Sequence, residues 1–177
     1  TVVGNICNAS PAGDTIGTCL LYTGVLNVYG PDGERQEPLS GFFQGPGKTN
    51  LKPGDIAVSL HLPIPPQGFT GTYIKLNRNK LSDLAIVGVT AATYLNAAVA
   101  SGQTVRVALA SVAPTPLVVN AVEEFFNQEA LTPETIDKAA QIAMDSCKPI
   151  DDVRGTARYR SQMVRNLTRS ALTKISQ

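Results

Sequence analysis

The sequence predicts an α+β fold: a three-stranded antiparallel sheet packed on three helices, preceded by a smaller segment of mixed structure. Three observations carry this expectation. Residues 72–76, 84–93 and 104–112 are short runs whose Val, Ile and Tyr content suits a small sheet. Beyond Pro116 the apolar spacing changes from period two to a period of about 3.6, so strands give way to helices. Between the two parts, Pro63-Ile64-Pro65-Pro66-Gln67-Gly68 reads as a linker, because proline-rich chain is stiff and extended. The expected division is therefore residues 1–66 and residues 67–177.

Each element has a local reason. Asn8-Ala9-Ser10-Pro11 reads as a helix start, with Ser10 as the cap and Pro11 at the first helical position. Ile16, Leu20 and Leu21 supply its apolar stripe, and Gly24 is a suitable terminator. Residues 25–29 and 34–38 read as a hairpin across the dense turn signal Gly30-Pro31-Asp32-Gly33. Residues 41–54 carry Gly and Pro repeatedly and are expected to be mostly loop. Ile56, Val58, Leu60 and Leu62 then alternate with Ala57, Ser59 and His61, the pattern of a half-buried strand, which Pro63 ends.

In the second part, residues 98–103 connect two strands. Pro116 and Pro133 each follow a threonine, the cap-then-first-turn arrangement, so a helix is expected at both. Ile136, Ala139, Ala140 and Ala143 mark the inner face of the second helix. A third is expected from about Gly155 to Ser176, with Met163, Leu167, Ala171 and Ile175 spaced by four.

Composition narrows the function. The 15 basic and 14 acidic residues are mixed along the chain, so charge makes no case for nucleic-acid or anionic-membrane binding. No apolar run reaches bilayer length and no leader-like segment opens the chain, so a cytoplasmic setting is expected. Cys7, Cys19 and Cys147 are too few and scattered for a Cys-x-x-Cys metal site, and read as buried thiols in a reducing compartment. His61, the single histidine, lies on the polar side of its strand and reads as solvent-facing rather than as a base. Glu123-Glu124 and Asp151-Asp152 read as solvated helix-start charges rather than an acid/base pair. No serine or cysteine has a partnered base. The exception is the amino-terminal segment: a glycine-containing turn at Thr1-Val2-Val3-Gly4-Asn5 before a helix start presents backbone N–H groups suited to a phosphate.

Here the residues match a known pattern. TVVGNICNASPAGDT resembles the second flavin motif of the FAD-binding medium subunits of molybdenum hydroxylases, T-(L/I)-G-G-N followed by N-A-S-P-x-x-D. The likeness continues through FFQGPGKTNLKPGDI, YIKLNRNKLSDLAIVGV, VRVALASVAPTP and DDVRGTARYRSQMVRNLTRSAL, in the family's order and spacing. The resemblance implies an oxidoreductase subunit of the xanthine dehydrogenase and carbon monoxide dehydrogenase class. Residues 1–66 would be the remainder of a PCMH-like FAD-binding domain, and residues 67–177 the flavoprotein C-terminal domain. It implies FAD in the complete subunit, and [2Fe-2S] clusters and molybdopterin on a small and a large partner subunit. Electrons would pass from the clusters to FAD and on to an external acceptor, the redox chemistry belonging to the cofactor.

The resemblance also assigns residues. Thr1, Gly4 and Asn5 match the turn that touches the FAD phosphates and ribityl chain, and Asn8 and Asp14 match polar FAD ligands, Asp14 as the dinucleotide-side acid. Ile56 and Ala57 match a strand whose backbone approaches the cofactor. Lys75 matches the flavin-side lysine, and residues 77–83 the segment beside the isoalloxazine. Val3 stands where the family has the first glycine of its pair, a place where a Cβ is expected to obstruct the backbone. The family's other, glycine-rich phosphate loop is expected upstream of Thr1, in a third of the subunit that this chain lacks. A flavin-free assembly or scaffold piece of such a complex is the rival expectation.

Overall fold

The structure, a computed structural model, describes residues 1–79 and 83–177. It opens with helix α1 (Val2–Asn8), capped by Thr1, whose hydroxyl oxygen accepts the Gly4 N–H at 3.0 Å. Ala9, left-handed at φ 47°, ends it. The Ser10 hydroxyl then accepts the Ala12 N–H at 3.2 Å and closes a local turn rather than capping a helix. Helix α2 (Ile16–Leu21) begins only after Thr15. Two short helices with a turn between them thus replace the expected turn at residues 1–5 and the single helix from Ser10. The left-handed residue after α2 is Thr23, at φ 52°, and the Gly24 N–H returns to the Cys19 carbonyl.

Strands β1 (Val25–Gly30) and β2 (Gly33–Pro38) form the expected hairpin, with Gly33 at φ 96° in the turn. Residues 41–54 are mostly loop, interrupted by a small ribbon of β3 (Phe43–Gly45) and β4 (Lys48–Thr49). Strand β5 (Ile56–His61) joins β1 antiparallel, giving the order β2-β1-β5. Its register shifts: Asn27 faces Ser59 but Val28 faces Ala57, so Val58 is an extra residue in a bulge. The simple alternation expected for β5 therefore fails. Ala57 and Leu60 turn toward the core, whereas Ile56 and Val58 are 64% and 63% exposed.

The second part holds the expected antiparallel strands β6 (Thr70–Leu76), β7 (Val87–Leu95) and β8 (Gln103–Ala110), extended by a two-residue β9 (Leu117–Val118). All described strands precede residue 120. Thr115-Pro116 starts no helix. Pro116 leads into β9, which pairs with Ala108 and Leu109, and helix α3 (Asn120–Phe126) follows. The free edge of β8 supplies backbone partners that a helix start at Pro116 would forgo. Helix α4 (Pro133–Ser146) does begin at its threonine: Thr132 and Thr135 exchange side-chain-to-backbone hydrogen bonds of 3.3 and 2.8 Å in a capping box. Helix α5 (Ala157–Ile175) is capped by Thr156 and buries Val164, Thr168, Ala171, Leu172 and Ile175, with Met163 and Leu167 at the margin.

Strands β7 and β8 are buried on both faces. Val87, Val89, Ala91, Val105, Val107 and Leu109 face α3 and α5 in the larger core. Ala92 and Ala108, on the opposite face, meet Leu21 of α2. That helix packs closely because Gly17 lacks a side chain: a Cβ there would stand 2.6 Å from the Thr90 hydroxyl. A separate core gathers Ile6, Ile16, Leu20, Leu26, Val28, Leu39 and Phe42. Among the described residues no helix is long and apolar enough to cross a membrane.

Candidate functional site

The turn just ahead of α2 meets the edge strand β6, and polar chemistry collects there. Tyr73 and Lys75 are two residues apart on a strand, so they project from the same face. Both reach Asp14. The Tyr73 hydroxyl donates to Asp14 Oδ1 at 2.7 Å, and the Lys75 ammonium donates to Oδ2 at 2.7 Å. The Lys75 side chain is 23% exposed and that of Asp14 44%. Tyr73 lies against Gly88, where a Cβ would come within 2.9 Å of its hydroxyl and 3.2 Å of its ring. Burial, reinforced by the hydrogen bond to Asp14 and the carboxylate's charge, pushes the Tyr73 hydroxyl far above the usual phenol range, so it remains a donor. Next to Asp14, the Thr15 hydroxyl donates to Asn5 Oδ1 at 2.6 Å. Gly13 lets the backbone pass, since a Cβ would stand 3.0 Å from Asn5 Oδ1.

The structure thus joins three of the expected residues, Asp14, Lys75 and, through Thr15, Asn5. Thr1 and Gly4 are tied to each other by the α1 cap, so the Gly4 N–H already has a partner. Val3 is helical and helps cover the smaller core; its position demands no glycine conformation. Asn8 is exposed at the end of α1. Ile56 and Ala57 face opposite sides of β5: Ala57 packs against the smaller core, and Ile56 lies on the outer face. In the segment 77–83, Asp83 Oδ2 accepts from the Arg78 backbone and guanidinium at 3.2 and 3.3 Å. Residues 80–82 lie outside the described residues.

Sequence reasoning missed Tyr73, although its spacing from Lys75 on an expected strand was a usable signal. It also missed Arg160, a buried cation in α5. Its guanidinium donates to the carbonyls of Ile86 (3.1 Å) and Ser111 (2.8 Å) and to Asp152 Oδ1 (2.6 Å). Among the described residues no group of His, Cys, Asp or Glu is arranged to hold a metal.

An ammonium has three donor protons. With one directed at Asp14, Lys75 keeps two, and the carboxylate offsets its charge. A pair of this kind suits the acceptor-bearing edge of an uncharged ring better than it suits a phosphate.

Residues 72–175 match the CO dehydrogenase flavoprotein C-terminal domain, and residues 1–65 match the FAD binding domain in molybdopterin dehydrogenase. The chain belongs to the FAD-binding medium-subunit family of the xanthine and carbon monoxide dehydrogenases. Members similar to it include the carbon monoxide dehydrogenase medium chain of Hydrogenophaga pseudoflava, 32% identical over 97% of this chain and 59% of that one. The xanthine dehydrogenase FAD-binding subunit of Escherichia coli O157:H7 is 26% identical over 98% of this chain and 59% of its own length. The medium-subunit fold is equally clear in space. A chain of the Hydrogenophaga pseudoflava carbon monoxide dehydrogenase that lacks the Mo-pyranopterin moiety superposes with a TM-score of 0.90 at 31% identity, over 98% of this chain and 59% of that chain. The chain therefore spans about three-fifths of the length of these medium-subunit relatives. The family's cofactor is FAD, and the Asp14–Lys75 cluster fits it: the half-buried donors are those that a flavin edge would accept from.

Proposed function

We propose that this chain holds the flavin of an electron-transfer subunit in a molybdenum hydroxylase. FAD, when bound, supplies the redox chemistry, and the chain binds and orients it. The observation that carries the reading is the cluster in which Asp14, in the turn ahead of α2, is held by Tyr73 and Lys75 of β6. Lys75 directs its remaining donors to the flavin edge, and Asp14, fixed beside it, offsets the ammonium and accepts from the cofactor. Because the two are in contact, they act at one end of the cofactor, not at opposite ends. Asn5, joined to this cluster through Thr15, lines the approach. Thr1, Gly4, Asn8, Ile56 and Ala57 are assigned to the cofactor surface by family position.

In this reading residues 1–66 are part of the FAD-binding domain and residues 67–177 are the flavoprotein C-terminal domain, a division supported by the two larger apolar cores, which a smaller cluster of Leu21, Ala92 and Ala108 joins. The [2Fe-2S] clusters and molybdopterin sit on a small and a large partner subunit. Electrons leave the clusters for FAD and pass to an external acceptor. A cytoplasmic setting agrees with the free thiols of Cys7, Cys19 and Cys147.

The test is the flavin content of the full-length gene product purified with its neighbouring subunits. One FAD per chain, lost in large part on Asp14→Ala, supports the reading. A colourless complex that still assembles identifies a flavin-free scaffold instead.

A further inference from the structure

Tyr73 is absent from the family-assigned ligands, yet it makes the only other side-chain hydrogen bond described for Asp14 besides that of Lys75. We propose that Tyr73 is a positioning residue, which fixes the Asp14 carboxylate so that Asp14 and Lys75 meet FAD in one orientation. The proposal rests on the flavin reading of that pair.

A lysine holds its ammonium on a flexible four-carbon stem, so the Lys75 contact alone leaves the carboxylate free to swing about its last torsion. Asp14 sits just ahead of α2 rather than within it, so helical backbone does not hold it either. Tyrosine has two side-chain torsions and a rigid ring. Here the ring is backed by Gly88, which leaves no room for a Cβ beneath it, and it borders the cavity lined by Thr18, Thr72 and Thr90. The Tyr73 hydroxyl has one proton, and at 2.7 Å from Oδ1 that proton is directed at Asp14. It is thus the stiff member of the cluster. With Oδ1 held, Oδ2 is aimed at Lys75, which stays on the same face of β6, two residues on. Tyr73 therefore acts on the cofactor through Asp14.

The test is a double-mutant cycle on FAD affinity in the full-length gene product, stripped of flavin and titrated with FAD by fluorescence. Tyr73→Phe keeps the ring and removes only the hydroxyl. It should weaken FAD binding about tenfold, as expected for loss of a hydrogen bond to a charged group. The melting temperature of the apo-protein should stay within about 3 °C of the parent. In an Asp14→Ala background the same change should have no further effect on affinity, because the group that Tyr73 positions is gone. A merely structural tyrosine would weaken binding equally in both backgrounds, and that result overturns the proposal. So does unchanged affinity in Tyr73→Phe when Asp14→Ala binds weakly. If Asp14→Ala itself binds FAD normally, the flavin reading of the cluster fails, and the role of Tyr73 fails with it.

Discussion

Lys75 meets Asp14 across 61 positions of sequence, with its ammonium 2.7 Å from the carboxylate. Neither side chain is buried, so water screens the pair and its contribution to folding is under about 1 kcal/mol. The proposed function gives the pair a role in holding the flavin instead. Lys75→Met should shift the midpoint potential of the bound flavin, because a cation beside the ring favours the more electron-rich reduced form and its removal lowers the potential. The melting temperature of the apo-protein should fall by no more than about 3 °C. Spectroelectrochemical titration of parent and variant checks the shift. An unaltered potential removes Lys75 from the flavin edge.

Arg160 is the reverse case, a cation buried to 2% exposure whose guanidinium binds two carbonyls and Asp152. Through them it ties α5 to the start of β7 and to the end of β8. Arg160→Met should cost roughly 3 kcal/mol, since both carbonyls lose their donor and the half-buried Asp152 carboxylate is left with Arg154 alone. Arg160→Lys should recover little of it, because an ammonium cannot span the three acceptors that the planar fork reaches. Urea midpoints of the two variants measure the difference, and a fully stable lysine variant would contradict the fork geometry.

Two carboxylates contribute to the acid limit of the fold. Arg35, aided by the Lys52 N–H, holds Asp55 at about 2 through hydrogen bonds of 2.9, 2.5 and 2.6 Å. The Arg154 N–H and then the Arg160 guanidinium hold Asp152 at about 2 against its partial burial. Both values lie below the ordinary 3.8, so their stabilisation is complete above that value and disappears as the pH falls toward 2. Urea midpoints should be level with respect to these groups above about pH 5 and drop between about pH 4 and 2. Asp55→Asn should be the less stable protein at pH 6, with the gap to the parent closing toward pH 2. A gap that persists there would place the stabilisation elsewhere.

Thr132 and Thr115 precede prolines in the same local pattern, but only Thr132 caps a helix. Thr132→Ala should cost about 1 kcal/mol and lower the melting temperature by about 2–4 °C. Thr115→Ala should change stability by less than about 0.5 kcal/mol. Parallel melts of the two variants make the comparison.

Local chemistry determined much of this protein from sequence. The β1–β2 hairpin was legible because Gly30-Pro31-Asp32-Gly33 dictates a turn whatever surrounds it. The long helices α4 and α5 were legible because each presents an apolar stripe, which in α4 follows a capping threonine and proline. The strands β6, β7 and β8 were legible from composition, and the family from five ordered motifs, whose order no local rule requires. Tertiary structure decided the rest. The Val58 bulge turned Ile56 outward, because register depends on pairing with β1 and not on the residues of β5 alone. Pro116 entered β9 because β8 offered it an edge. Thr1 and Gly4 closed a helix cap where a phosphate-binding turn was expected, since a hydroxyl three residues away was available locally. The site was only half legible. Asp14 and Lys75 were named from motifs 61 positions apart, but nothing in a linear sequence measures the distance between them. Packing of α2 against the sheet through Gly17, and of Tyr73 against Gly88, brought their charges into contact. Long-range proximity is a property of the packed core, and the core forms only when all its elements are present together.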